Sequence, residues 1–168
     1  TYATGDTDFR TQVLKIKAAG ADVVYLVPQT STPGLTIVKQ LRENKVNVPY
    51  VTAEVLLDRA TVKDNATVLE GVIGVEAGID WDNNAKAKAF KAAHIAKFGS
   101  EPGVFAANAY DAVYLLKAAI EEHGLDTAKI RDWLYGVKEW DGAVGKLTLD
   151  RNGDPILGEN VRKIVAGE

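Results

Sequence analysis

The chain has 168 residues, the size of one ordinary domain, with 46% hydrophobic and 26% charged residues, the balance of a globular protein with enough apolar material for a core. Its net charge of -3 comes without any Lys/Arg run, which argues against a nucleic-acid partner. The absence of Cys excludes disulfides, thiolate metal sites and thiol chemistry, and no stretch approaches the roughly 18 apolar residues of a membrane span.

In chain order, Gly5 to Thr30 reads as a helix followed by a strand. Asp6 and Thr7 are candidate N-caps, and Phe9, Val13 and Ile16 share one helical face. Gly20 is a stop signal. Asp22 to Val27, "DVVYLV", is a nearly continuous apolar run, the pattern of a strand covered on both faces in a parallel sheet. The pattern then repeats. Thr32 reads as a cap, Pro33 as the first helical position, and Leu35, Val38 and Leu41 as the apolar stripe. The segment "VPYVTA" (48–53) is the next strand, with Pro49 at its start or at an edge. A polar helical connector (58–65) leads to a third strand, Gly71 to Ala77.

Further helices are expected over Asn83–Phe98, capped by Asn and stopped by Gly99, over Gly103–Gly124, apolar on most of its surface and so expected to be well buried, and over Thr127–Val137. The C-terminal part carries an Asn152-Gly153 turn between two β-like segments, a hairpin signal. Helices and strands alternating over short connections predict an α/β fold, a mostly parallel sheet flanked by helices with right-handed crossovers, closed by a C-terminal β-hairpin.

In such a sheet, ligands bind beyond the carboxyl ends of the strands. The predicted strand ends therefore nominate Gln29 and Thr30, Glu54, and Glu76 as candidate binding residues for polar or cationic groups. Glu54 is the most pointed of these, because a carboxylate closing an apolar strand needs a partner. No phosphate-binding glycine loop is present; "GVIGVE" lies inside a strand and has the wrong spacing. His94 and His123 lack ligand-spaced partners and read as ordinary surface or helix-end histidines. Asp111 reads as structural. No nucleophile elbow or metal set is found, so no enzyme, cofactor or metal is expected.

The ordered segments "TYATGDTDFRTQVLKIKAAGADVVYLV", "IVKQLRENKVNVPYVTAE", "YDAVYLLKAAIEEHG" and "GAVGKLTLDRNGDP" resemble the periplasmic amino-acid-binding receptors of ABC importers, the type I, leucine/isoleucine/valine-binding class. The resemblance implies a two-lobed clamshell that captures a small molecule between lobes and docks on membrane permease subunits without performing chemistry. It implies a periplasmic or extracellular location, with the protein soluble or lipid-anchored. Members of that class are about twice this length, so the chain is expected to be a C-terminal half. Most of the second lobe would be 1–99, helices belonging to the first lobe 100–138, and a hairpin returning through the hinge 139–168. Starting at Thr1 without any Met fits a removed leader or a preceding part. A half-chain on its own would expose strand edges that invite dimerisation or swapping.

By the same resemblance Glu54 stands where the class holds the ligand ammonium, Gln29 where it places a polar or aromatic side chain, and Phe105 where an aromatic touches the ligand side chain. Three other readings remain open: a receptor for a non-amino-acid solute such as an amide or aromatic acid, a sensing domain of a regulator on the same fold, and an α/β enzyme.

Overall fold

A computed structural model describes all 168 residues. The helices are α1 (Arg10–Ala19), α2 (Ser31–Glu43), α3 (Arg59–Asp64), α4 (Ala66–Leu69), α5 (Ala85–Phe98), α6 (Val104–His123) and α7 (Thr127–Tyr135). The strands are β1 (Val24–Leu26), β2 (Tyr50–Ala53), β3 (Ile73–Ala77), β4 (Trp140–Gly142), β5 (Gly145–Leu149), β6 (Pro155–Ile156) and β7 (Glu159–Lys163). Two compact units result. One is Thr1–Glu76 with Asn160–Glu168, and the other is Ala77–Glu159.

The first unit is built on a sheet of order β1-β2-β3-β7. Strands β1, β2 and β3 run parallel, with Leu26 beside Thr52 and Thr52 beside Gly74. At the far side the chain returns in the opposite direction: Ile164 donates to Val72 O, and Gly71 donates to Ile164 O. The core combines Phe9 and Val13 of the first helical segment, Ile37, Val38 and Leu41 of α2, Val62, Leu69, and the inward strand residues Val24, Leu26 and Tyr50. The predicted face of α1 is thus the buried one. Tyr50 is buried here, its hydroxyl donating to Val46 O, and burial raises its pKa.

Local starts differ from the sequence-based reading. Asp6 does not cap α1; its carboxylate accepts from the Ala3 N–H at 2.8 Å, and Asp8 accepts from the Arg10 N–H, so the helix begins at Arg10. Thr30, not Thr32, occupies the N-cap of α2, which moves Pro33 to the third helical position. Gly20 ends α1 in the left-handed conformation as expected.

The end of α2 is stopped without glycine. Val46 donates to Leu41 O and Lys45 to Arg42 O, the paired bonds of a Schellman cap, with Lys45 at φ 57°. A side chain in that conformation is strained. Replacing Lys45 by Gly is expected to stabilise the protein by about 0.5–1 kcal/mol, read as a higher urea midpoint at unchanged slope.

Strand β1 is covered on one face only. Val24 and Leu26 are buried, whereas Tyr25 is 63% exposed and Val23 and Val27 are also exposed. The expectation of a doubly covered β1 fails because α1 through α4 all contribute to the single core on the opposite face.

In the second unit, β4, β5 and β6 form an antiparallel sheet. The expected turn is present: Thr148 pairs with Ile156, Gly153 takes φ 87°, and the Asp150 carboxylate accepts from the Asn152 and Asp154 N–H groups at 2.8 Å, bonds that lower its pKa. The segment after it, however, leaves this sheet and becomes β7 of the first unit's sheet. A second hairpin, β4–β5, carries no comparable turn signal in the sequence. Helix α5 is capped by Asn84, which accepts from Lys86 and Ala87 N–H, and α7 by Asp126, which accepts from Ala128 and Lys129 N–H. Helix α6 buries a single stripe, Val104, Ala107, Asp111, Leu115 and Ala119. Its apolar neighbours Phe105, Val113, Leu116 and Ile120 are exposed, so the expectation of a well-buried helix is corrected: with one packing side available, only one stripe is covered.

Candidate functional site

The parallel direction of β1, β2 and β3 brings their carboxyl ends to one edge of the sheet. Leu26 and Thr52 are register partners, as are Ala53 and Val75. Gln29, Glu54 and Glu76 lie at or just beyond these strand ends, so the three candidates share the edge in the order of their strands. The fold therefore places them where an open α/β sheet presents ligand-binding groups.

Glu54 is half-buried and opens a 3₁₀ turn, Glu54–Leu56, directly after β2. The Leu57 N–H donates to Glu54 O at 2.9 Å, and Leu56 and Leu57 plunge into the core. The turn thus fixes Glu54 by anchoring the two leucines on its C-terminal side. Glu54 already has a polar or charged partner within the chain, so a cationic ligand would join or displace an existing interaction.

Gln29 follows Pro28 at the end of β1. Its backbone N–H donates to the Tyr2 hydroxyl at 3.0 Å, and its side-chain Oε1 accepts from the Thr4 hydroxyl at 3.0 Å. Tyr2 rests edge-on against Phe9, their centroids 5.1 Å apart. Sequence reasoning misses Tyr2 and Thr4, because their contact with Gln29 crosses 25 or more positions and no local pattern announces it. Thr30 is exposed and makes no side-chain capping bond.

Glu76 is not an open ligand group. Its carboxylate accepts from Arg162 Nη1 at 3.0 Å, and its side chain is 17% exposed. Strand β7, whose place beside β3 could not be read from local pattern, supplies this arginine.

Phe105 belongs to the second unit, in the first turn of α6, and is 57% exposed. In that unit Trp81 stacks on Phe90 with centroids 6.5 Å apart, and Phe90 meets Tyr110 at 4.7 Å. The histidines have mundane surroundings: His94 Nδ1 lies 2.9 Å from Ser100 O, and His123 lies beside Glu122. No group of three or more His, Asp or Glu is gathered to hold a metal ion, and no helix is long and apolar enough to cross a membrane.

Asp111 is 3% exposed on the buried stripe of α6. Its Oδ1 and Oδ2 accept from the Ala143 and Val144 N–H groups, each at 2.8 Å. A Cβ on Gly142 would stand 2.6 Å from the Asp111 Cγ. Asp111 is therefore structural, as expected, and its role is to hold the tip of the β4–β5 hairpin.

Known proteins share this fold. Residues 1–160 match the model of a family described as periplasmic binding protein. The chain is 32% identical over 152 residues to a Leu/Ile/Val-binding protein homolog from Brucella melitensis, an alignment covering 89% of this chain and 40% of that protein. A leucine-binding protein from Thermotoga maritima superposes with a TM-score of 0.84 at 25% identity, over 99% of this chain and 48% of that one. An ABC-transporter solute-binding protein from R. palustris, solved with benzoate, shares the fold at 22% identity and a TM-score of 0.80, over 100% of this chain and 47% of that one. The chain thus spans less than half the length of these relatives. On the extent of the family match and the strand-end geometry together, the chain belongs to the periplasmic binding protein family, of the kind that resembles leucine/isoleucine/valine-binding proteins.

Proposed function

We propose that the chain is part of a solute receptor of an ABC importer that captures an amino acid of branched-chain or similar type and delivers it to membrane permease subunits. The observation that carries this reading is Glu54, half-buried at the carboxyl end of β2 beside the Gln29 turn, a carboxylate where a ligand ammonium would be held. The Leu/Ile/Val-binding relative supports the amino-acid class. On this reading the receptor works outside the cytoplasmic membrane, Glu54 neutralises the ammonium, and Gln29 and Thr30 complete the polar strand-end contacts. Glu76 serves through its ion pair with Arg162. The chain binds and releases; no catalytic step is assigned to it.

A charge-assisted hydrogen bond contributes about 1.5–3 kcal/mol net. Glu54→Gln keeps the shape and an acceptor but removes the charge. In the complete protein it is expected to weaken L-leucine binding at least about tenfold by calorimetry, with the melting temperature nearly unchanged. Unaltered affinity would reject Glu54 as the ammonium partner. A second reading, a receptor for an aromatic acid, is favoured by the benzoate-bound structure of the same fold. It predicts that Glu54→Gln leaves benzoate binding intact or tightens it.

A further inference from the structure

The chain passes between its two compact units twice, from Glu76 to Ala77 and back from Glu159 to Asn160. The two passages continue neighbouring strands, β3 and β7, that run in opposite directions. Within the first unit the Ile164 N–H donates to Val72 O at 2.9 Å, and within the second the Gly78 N–H donates to Gly158 O at 2.7 Å. Gly78 is six positions beyond Val72, and Gly158 is six before Ile164, so both bonds belong to one antiparallel register. The passages are thus paired on either side of the boundary and form one ribbon, not two separate tethers.

Two contacts fasten this ribbon. In its register Arg162 stands opposite Gly74, which offers no side chain. The guanidinium instead reaches diagonally to the next residue on the same face, Glu76, its Nη1 donating to Oε1 at 3.0 Å. The pair is part-buried, where salt screens it less than at the surface. Glu76 is the last residue before the outward passage, and Arg162 lies two positions past the first residue of the return. On the far side of the boundary the backbones press together. A Cβ on Gly78 would stand 3.0 Å from both C and O of Gly158, whereas a Cβ on Gly158 would meet nothing within 4 Å.

We propose that the Glu76–Arg162 pair is a cross-strand latch that makes the two passages bend as one and so sets how far one unit turns against the other. Independent tethers swivel about their own dihedrals, but a paired ribbon bends only by twisting or opening its ladder. Without the latch the return strand can peel from β3 next to the boundary, and each passage regains its own freedom. No ligand enters this reading, which stands or falls separately from the receptor assignment.

The test measures the distance between two nitroxide labels by pulsed electron resonance in the complete protein. The labels sit on Lys15→Cys and Lys88→Cys, exposed positions of α1 and α5, one in each unit. Arg162→Gln is expected to widen the distance distribution roughly twofold. Exchanging the charges, Glu76→Arg with Arg162→Glu, should restore the wild-type width, which a ligand-contact role for Glu76 would not predict. Gly78→Ala should widen or displace the distribution, and Gly158→Ala, whose methyl enters open space, should leave it unchanged. Should Arg162→Gln not fold, the two glycine variants give the same reading from the other side of the boundary. An unchanged width in Arg162→Gln, an exchanged pair as wide as the single variant, or glycine variants that behave alike overturns the latch.

Discussion

Asp111→Ala is expected to lower the unfolding free energy of the second unit by about 3–5 kcal/mol, because it strands two buried N–H donors that now share one carboxylate. Those donors, Ala143 and Val144, are both buried. They cannot reach water without opening the β4–β5 hairpin, whose strands pair Trp140 with Leu147 and Gly142 with Gly145. Asp111→Asn should recover only part of the loss, since an amide offers one acceptor and turns a donor against the second N–H. Gly142→Ala should cost a comparable amount by a different route, forcing a methyl into the space of the Asp111 carboxylate. The measurement is straightforward because all three tryptophans, Trp81, Trp133 and Trp140, lie in Ala77–Glu159, so urea unfolding followed by their fluorescence reports on this unit. A loss below about 1 kcal/mol for Asp111→Ala would mean that the hairpin tip finds other acceptors and that the carboxylate is not its anchor.

Gly74→Ala should destabilise the first unit by about 1–3 kcal/mol, through crowding rather than a lost bond. Gly74 lies in β3 with β2 on one side and β7 on the other. An added Cβ would come within 2.7 Å of Leu57 Cγ, and Leu57 is itself buried in the core. The collision is with both Leu57 methyls, at 2.4 and 2.5 Å, as well as with Cγ, and the leucine would have to swing away inside a core where it is buried. Leu57→Ala in the same molecule should make the double variant lose less than the sum of the two single losses, a non-zero coupling where independent lesions would simply add. Far-UV circular dichroism in urea reports both units and tryptophan fluorescence only the second, so the transition seen by the first probe alone reads this unit; additive losses in the double variant would show that Gly74 is needed for some reason other than the space Leu57 fills.

Much of this fold is legible in the chain because its signals are local. Phe9, Val13 and Ile16 share a face that the structure buries or half-buries. Gly20 and Gly99 stop their helices in the left-handed conformation, and the Asn152-Gly153 turn forms. The strand ends come from topology, so Gln29 and Glu54 can be named before any coordinates. The illegible part depends on partners far along the chain. Asp111 and Val144 are 33 positions apart, and Glu76 and Arg162 are 86 apart. Hydrophobic pattern also fails in a definite way. It marks which residues prefer to be buried, not whether an element exists to cover them, so it assigns the apolar surfaces of β1 and α6 partners that these residues do not provide.

The two-sided apolar character of β1 has a consequence for how that strand finds its place. Where polar and apolar residues alternate, a slip by one residue turns the wrong set inward and is rejected. In β1 both sets are apolar, Val24 and Leu26 on one side and Val23, Tyr25 and Val27 on the other, so greasiness alone does not choose between them. The choice falls to the ends. The Val24 N–H is paired with Pro49 O, and beyond the strand Gln29 is tied to Tyr2 and Thr4. The contacts that shape the candidate binding edge also keep the strand from sliding, so loosening them would let β1 shift by one position and carry Gln29 away from the edge it shares with Glu54.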